Sequence, residues 1–182
     1  MMGHVLNLLV QCVREIDPEA VPKIFEHAGV EQLEEYRFEE VYPEETFGKL
    51  VVSTLEVLDV DVPTLENTFA EFFIRVSPQL FPAIFELSGD ARTLLARIPH
   101  IHRSIPTAAG SQLFKDKLTV VENDEEHLLL RYDSPHKLCG FLQRLANLTL
   151  EYYGNEGEVA ELQCSREGHD ACLVEVRFTE AA

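Results

Sequence analysis

Three groups of residues in this 182-residue chain have the types and spacing that chemistry needs. The first is Ile98-Pro99-His100-Ile101-His102-Arg103. A neutral imidazole offers a lone pair to a metal or a haem iron. At i, i+2 on a helix the two rings lie about 200° apart, so at most one of His100 and His102 faces inward. The bland alternative makes both ordinary surface or satisfied core residues. The second group is Leu130-Arg131-Tyr132-Asp133-Ser134-Pro135-His136-Lys137, where a strand runs into a helix. If the strand persists, the Tyr132 and Ser134 hydroxyls share a face and can meet one anion. The free amides of the following helix would stand behind them, and His136 and Lys137 add positive charge. The bland alternative is a Ser134 N-cap and a Tyr132 in the core. The third group is Cys139 with Cys164-Ser-Arg-Glu-Gly-His-Asp-Ala-Cys172. Three thiolates converging on a turn suit zinc, with Glu161 or His169 as candidate fourth ligand, although three free thiols remain the alternative. No phosphate-cradling glycine motif, His-Glu-x-x-His or nucleophile elbow is present, and the carboxylates are scattered rather than paired, so nothing points to an enzyme.

Composition narrows the setting. Fifteen Lys and Arg against 32 Asp and Glu leave a net charge of −17, which repels nucleic acid and an anionic membrane surface. No run approaches the ~20 apolar residues that span a bilayer, and Met1-Met2-Gly3-His4 lacks the basic start of a signal segment. The expectation is a cytoplasmic protein whose four cysteines are thiols or metal ligands rather than disulfides. At 46% hydrophobic residues the chain can build one core, so a single domain over 1–182 is expected, with a helical part at 1–110 and a sheet part at 111–182.

Periodicity supplies the elements that must hold these groups. Apolar residues at helical spacing predict helices over Val5 to Ile16, from Pro18 to Gly29, over Phe47 to Leu58, Pro63 to Val76, Leu80 to Leu87, and Ala91 to about Ser104 behind the cap candidate Asp90. Residues 31–45 carry seven glutamates around Tyr36, Phe38 and Tyr42 and read as a solvated acidic loop with aromatic anchors. After Gly110 short β-type runs appear at Lys117 to Glu122 and His127 to Arg131, separated by Asn123-Asp124. A long helix opened by Ser134-Pro135 and reaching about Tyr153 follows, then strands over Gly157 to Gln163 and Cys172 to Phe178. The expected fold class is α+β: a helical N-terminal lobe packed on a C-terminal lobe with a four-stranded antiparallel sheet and one long helix, with a ligand cleft between the lobes.

Taken in order, the opening Met-x-Gly, Phe69-Ala70-Glu71-Phe72-Phe73, His102 preceded by Ile101, Leu130-Arg131-Tyr132-x-Ser134-Pro135 with Leu138-Cys139, and the terminal Cys-x7-Cys resemble the haem nitric oxide/oxygen-binding (H-NOX) domain along essentially the whole chain. The resemblance implies a haem b gas sensor that signals to a histidine kinase or a cyclic-di-GMP enzyme. His102 matches the proximal haem ligand, with His100 its competitor. Tyr132 and Ser134 match the first two members of a Tyr-x-Ser-x-Arg motif that binds the haem propionates, while His136 stands where the arginine belongs. An imidazole does not replace a permanently charged, bidentate guanidinium, so Lys137 or Arg131 is expected to compensate.

Phe141 falls where oxygen-binding relatives carry a distal tyrosine, with Leu9 and Ile74 as expected apolar neighbours. Without a hydrogen-bond donor, nitric oxide, and secondarily CO, is the expected ligand rather than O2. His4 near the N-terminal helix would supply a donor and contradict this if it points into the pocket. The stretch Thr107 to Ser111 departs from the proline-containing segment usual in the family. Cys139, Cys164 and Cys172 match three ligands of a zinc site found in some bacterial members, whose histidine aligns with Glu161. Two other readings compete: a haem-free small-molecule-binding regulatory module of the vinyl-reductase type, and a zinc or thiol redox sensor.

Overall fold

The computed structural model describes residues 3–37, 40–104 and 117–179. In chain order the elements are α1 (Gly3–Ile16), α2 (Ala20–Ala28), α3 (Glu44–Leu58), α4 (Val62–Leu80), α5 (Pro82–Ser88), α6 (Ala91–Ser104), β1 (Leu118–Asn123), β2 (His127–Tyr132), α7 (Cys139–Tyr153), β3 (Gly157–Gln163) and β4 (Cys172–Phe178). Helices followed by an antiparallel sheet with one long helix give the α+β class expected from the periodicity. The departure expected at Thr107 to Ser111 lies outside the described residues, as do Phe38 and Glu39 of the acidic loop.

The chain forms two compact units that divide inside α4, one running through Phe69 and the other starting at Ala70. In the first unit, α1 packs on α2 and α2 on α3. Leu6, Leu8, Leu9, Val13, Val21, Ile24, Phe25, Phe47 and Leu50 form its buried interior. Gly29 ends α2 because only a residue at ease with φ near 60° lets its own N–H reach Glu26 O (3.1 Å) while Val30 N–H reaches Phe25 O (3.2 Å). The loop after α2 is pinned back onto α1. The Asn7 amide donates to Tyr36 O (2.7 Å) and accepts from Tyr36 N–H (2.9 Å), and Gly3 N–H donates to Glu40 O (3.0 Å). Gly3 must be glycine there, since a Cβ would collide with the Arg37 carbonyl.

In the second unit the sheet order is β1-β2-β4-β3, antiparallel throughout. Alternation places Leu118, Leu128, Leu130, Val174 and Val176 on one face, against Ala91 and Leu95 of α6 and Leu142, Ala146 and Leu150 of α7. Both edge strands are irregular. Register shifts between Val120 and Glu122 in β1 and between Glu161 and Gln163 in β3, leaving Val121 and Leu162 as the extra residues.

Several expected boundaries differ from the structure, among them the starts of α1 (Gly3 rather than Val5), α3 (Glu44 rather than Phe47) and α5 (Pro82 rather than Leu80). Helix α2 starts at Ala20 rather than Pro18, because the Asp17 carboxylate accepts Glu19 N–H (2.9 Å) and holds a turn first. Helix α4 runs past Val76 to Leu80 with Pro78 inside it. The largest difference is α7, which begins at Cys139 instead of Ser134. Lys137 N–H bonds Ser134 O (3.0 Å) and Lys137 sits at φ 48°, so residues 134–137 form a turn and not a first helical turn.

Candidate functional site

Helix α6 is started by Asp90, whose Oδ1 accepts Thr93 N–H (2.7 Å) and whose Oδ2 accepts the Thr93 hydroxyl (2.9 Å). Ala91 N–H donates to Asn155 Oδ1 (2.8 Å), which ties the helix start to the chain after α7. Ala91, Leu95, Ala96 and Ile98 of α6 meet the sheet core, and Ala91, Leu95 and Ile98 form one stripe about 60° wide. At about 100° per residue, His102 falls within about 20° of Leu95 on the helical wheel, whereas His100 falls about 140° away. Both imidazoles are exposed, but only His102 continues the apolar stripe. The competition left open by the i, i+2 spacing therefore turns on position within a stripe.

Strand β2 ends at Tyr132, so Tyr132 and Ser134 do not share a strand face as the sequence pattern suggested. The helix expected directly behind Ser134 is displaced by five residues, and its amides do not back the two hydroxyls. What replaces it is a tight turn in which His136 N–H donates to Ser134 Oγ (3.4 Å). Tyr132, Ser134 and His136 are all half-buried along this turn. Of the two cations expected to compensate for the missing arginine, Arg131 is bound to Asp133 (2.9 Å) and Lys137 Nζ reaches Ser165 O (3.4 Å). Neither is poised as a substitute guanidinium.

Ile74 of α4 and Phe141 of α7 are brought together in one apolar cluster with Ala70, Phe73, Leu145 and Leu148. Phe73 and Phe141 meet edge to face, centroids 5.8 Å apart. No side chain of this cluster carries a hydrogen-bond donor. Leu9 belongs to the first unit, where it lines a small apolar pocket with Val10, Val13, Val21, Ile24, Phe25, Leu50 and Thr54. His4 is half-buried on the first turn of α1.

The third group converges closely. One ligand atom from each of Cys139, Glu161, Cys164 and Cys172 lies within 4.8 Å of the others. Cys139 comes from the first turn of α7, Glu161 from β3 beside its bulge, Cys172 from the start of β4, and Cys164 from the link between the two strands. The bulge matters because its extra residue, Leu162, brings Glu161 and Cys164, three apart in sequence, to the same face of the sheet instead of opposite faces. His169 is exposed and outside the cluster, so Glu161 is the fourth group. Burial, opposed by a backbone hydrogen bond from Arg166 and reinforced by Glu161, holds the Cys164 thiol above its ordinary range. Against the expectation of thiols or metal ligands only, Cys139 and Cys172 are paired as a disulfide, Cα atoms 6.5 Å apart, because the first turn of α7 and the start of β4 bring their sulfurs together.

Two oxidation states are thus open to one donor set: a disulfide beside a lone thiol, or three thiolates and a carboxylate suited to a tetrahedral cation. Glu161 Oε1 is buried without a hydrogen-bond partner, a cost that a disulfide leaves in place and a cation removes. Ser165, which the sequence did not single out, donates from its backbone N–H to Cys172 Sγ (3.4 Å). Its hydroxyl lies 3.2 Å from Cys172 Sγ and 3.5 Å from Cys139 Sγ. A hydroxyl directly following a ligand cysteine was the available signal. Cys12 is buried in α1, far along the chain from this group.

Among the described residues no helix is long and apolar enough to cross a membrane. No curated protein matches the chain. Solved structures do. An H-NOX protein from S. oneidensis in its Fe(II)NO state is 16% identical with a TM-score of 0.76, covering 99% of this chain and 100% of its own. An unliganded Fe(II) H-NOX protein from K. algicida is 22% identical with a TM-score of 0.76, covering 100% and 98%. An oxygen-binding H-NOX domain related to soluble guanylate cyclases, in its oxygen complex, is 14% identical with a TM-score of 0.79, covering 99% and 96%. At such identities these likenesses speak for the fold. The model of the Haem-NO-binding family matches residues 2–161, which takes in α1 through most of β3 and every candidate haem residue. The chain therefore belongs to the Haem-NO-binding (H-NOX) family, whose members are haem-based gas-sensing domains and not themselves enzymes.

Proposed function

We propose that the chain is a haem b sensor for nitric oxide, a cytoplasmic module acting as one functional domain on a histidine kinase or a cyclic-di-GMP enzyme. The observation that carries this reading is His102. It is an exposed imidazole continuing the apolar stripe of α6, and by sequence resemblance it matches the family's proximal ligand. Tyr132 and Ser134 would hold the propionates through their hydroxyls, with His136 beside them in place of the family arginine. The haem would supply the iron that takes the gas. The residues present suit that group, offering a neutral nitrogen donor, two half-buried hydroxyls and an apolar wall at Ile74 and Phe141. That wall has no donor for a partly anionic dioxygen, which favours NO, and secondarily CO, over O2.

Absorbance of the purified ferrous protein with and without NO, beside His102→Ala, is the test. A Soret band that shifts with NO in the wild type and is lost or relocated in His102→Ala is expected. Absence of a Soret band after haem reconstitution would refute the reading.

A second reading adds to the first. The buried, unpartnered Glu161 Oε1 among three cysteine sulfurs supports a zinc ion held by Cys139, Glu161, Cys164 and Cys172. Metal analysis of protein purified under reductant should return one zinc per chain. Zinc without iron after haem-replete expression would favour the thiol or zinc redox sensor instead.

A further inference from the structure

Resting on the haem and zinc readings above, we infer that the turn Ser165–Glu167 couples the cysteine cluster to the Tyr132–Ser134 anchor, so that metal occupancy sets how tightly the haem is retained. Two sets of contacts carry this. The first is Tyr132 itself. Its ring packs on Cys139, Cys164 and Cys172, and it pairs in register with Cys172 across β2 and β4. One side chain is therefore both a propionate anchor and a wall of the thiol cluster.

The second is a chain of hydrogen bonds through the turn. Ser165 touches the sulfurs of Cys172 and Cys139. Lys137 Nζ donates to Ser165 O, and the Arg166 guanidinium donates back to Lys137 O (2.5 Å). Lys137 in turn closes the loop that begins at Ser134, through its N–H to Ser134 O. The left-handed backbone of Lys137 is an uncommon conformation for lysine, and the two-way latch to residues 165 and 166 accompanies it.

The cluster thus cannot rearrange without disturbing the bed of Tyr132 and the latch on residues 134–137. With a cation, four donors are drawn to one point. Without it, the sulfurs hold together only by burial and by the Cys139–Cys172 pairing, and Glu161 Oε1 stays buried with no hydrogen bond. Coupling between two sites is reciprocal, so haem and zinc should tighten each other by the same factor, typically about 5-fold to 150-fold for coupled sites.

Haem transfer from the reduced protein to excess apomyoglobin, followed at the Soret band, tests this. Protein carrying one zinc is compared with the same protein stripped by chelator. We expect faster loss without zinc and, in equilibrium competition with apomyoglobin, a haem affinity lower by at least about fivefold, matched by zinc held about as much more tightly in the haem-loaded form. Arg166→Ala should still bind both groups, with unchanged circular dichroism, while the zinc dependence of haem loss shrinks. Arg166→Lys should restore part of it. Equal transfer rates with and without zinc in the wild type would overturn the coupling and leave both binding readings intact. Full zinc dependence in Arg166→Ala would overturn the assignment to the turn. A wild type that takes up no haem overturns the haem reading and the coupling together, and one that takes up no zinc does the same for the zinc reading.

Discussion

Tyr36→Phe should leave the protein as stable as the wild type, or more stable, at neutral pH and more resistant to alkali. Tyr36 is 3% exposed, and its ring lies 6.5 Å from Phe25 and 4.9 Å from Tyr42 between centroids. Its backbone is held on both sides by Asn7, independently of the hydroxyl. The hydroxyl itself is buried with no hydrogen-bond partner. Removing it keeps the packing and deletes an unsatisfied group, so the change at pH 7 should lie between zero and about 1 kcal/mol of stabilisation, where a bonded buried hydroxyl would give a loss of similar size.

The alkaline arm follows from linkage. Burial, then Tyr42, then Glu31 push the Tyr36 pKa from 10.0 up to about 12. Between these values the folded chain keeps a proton that the unfolded chain has released, so wild-type stability is full below pH 10 and falls as pH rises towards 12. Near pH 11 the loss is about 1.4 kcal/mol, tending to about 2.7 kcal/mol above the window. Urea titrations of both proteins at pH 7 and pH 11 measure the difference, in which every other titrating group cancels. A variant more than about 1 kcal/mol weaker at pH 7, or one with the wild-type alkaline slope, would refute the reasoning.

Four further outcomes are expected. Gly3→Ala would drive a methyl group into the Arg37 carbonyl and the Tyr42 ring, and thermal melts should show a loss of about 1–3 kcal/mol. Asp90→Ala removes both bonds to Thr93 and should cost about 1 kcal/mol, read by the same melts. Phe141→Tyr places a hydroxyl beside Phe73 and Ile74 and, on the haem reading proposed above, air-equilibrated spectra of the haem-loaded ferrous proteins should show O2 binding by the variant and none by the wild type. Glu161→Ala should lower zinc affinity by at least about tenfold in competition with a chelator, while secondary structure is unchanged.

How far the sequence could be read depends on the range of the forces at each position. Strands β3 and β4 begin and end where the alternation predicted, at Gly157, Gln163, Cys172 and Phe178, because that pattern is short-range and bounded by turn residues. Helix α6 behind Asp90 was legible for the same reason. The start of α7 was not. Ser134-Pro135 is a common opening for a helix, and no local signal announces that Lys137 will turn left-handed under the hold of Arg166, 29 residues away.

The cluster shows both limits at once. Its three cysteines stand out by type, whereas the choice of Glu161 over His169 depends on a bulge, which is a register event between two strands. The unsatisfied hydroxyl of Tyr36 is equally invisible in the chain, since it is defined by what fails to come near it.

The bulges bear on how copies of this protein meet one another. Each lies on an edge of the sheet, and each extra residue is an apolar side chain half in solvent, Val121 at 50% and Leu162 at 51%. An edge strand is a row of unpaired amides and carbonyls open to strand addition by a neighbour, and an irregular twisted edge is a poor template for it. Removing Val121 or Leu162 would leave the core residues in place and straighten one margin of the sheet. The result would be a domain folded as before that polymerises through its edges at concentrations where the parent stays dispersed.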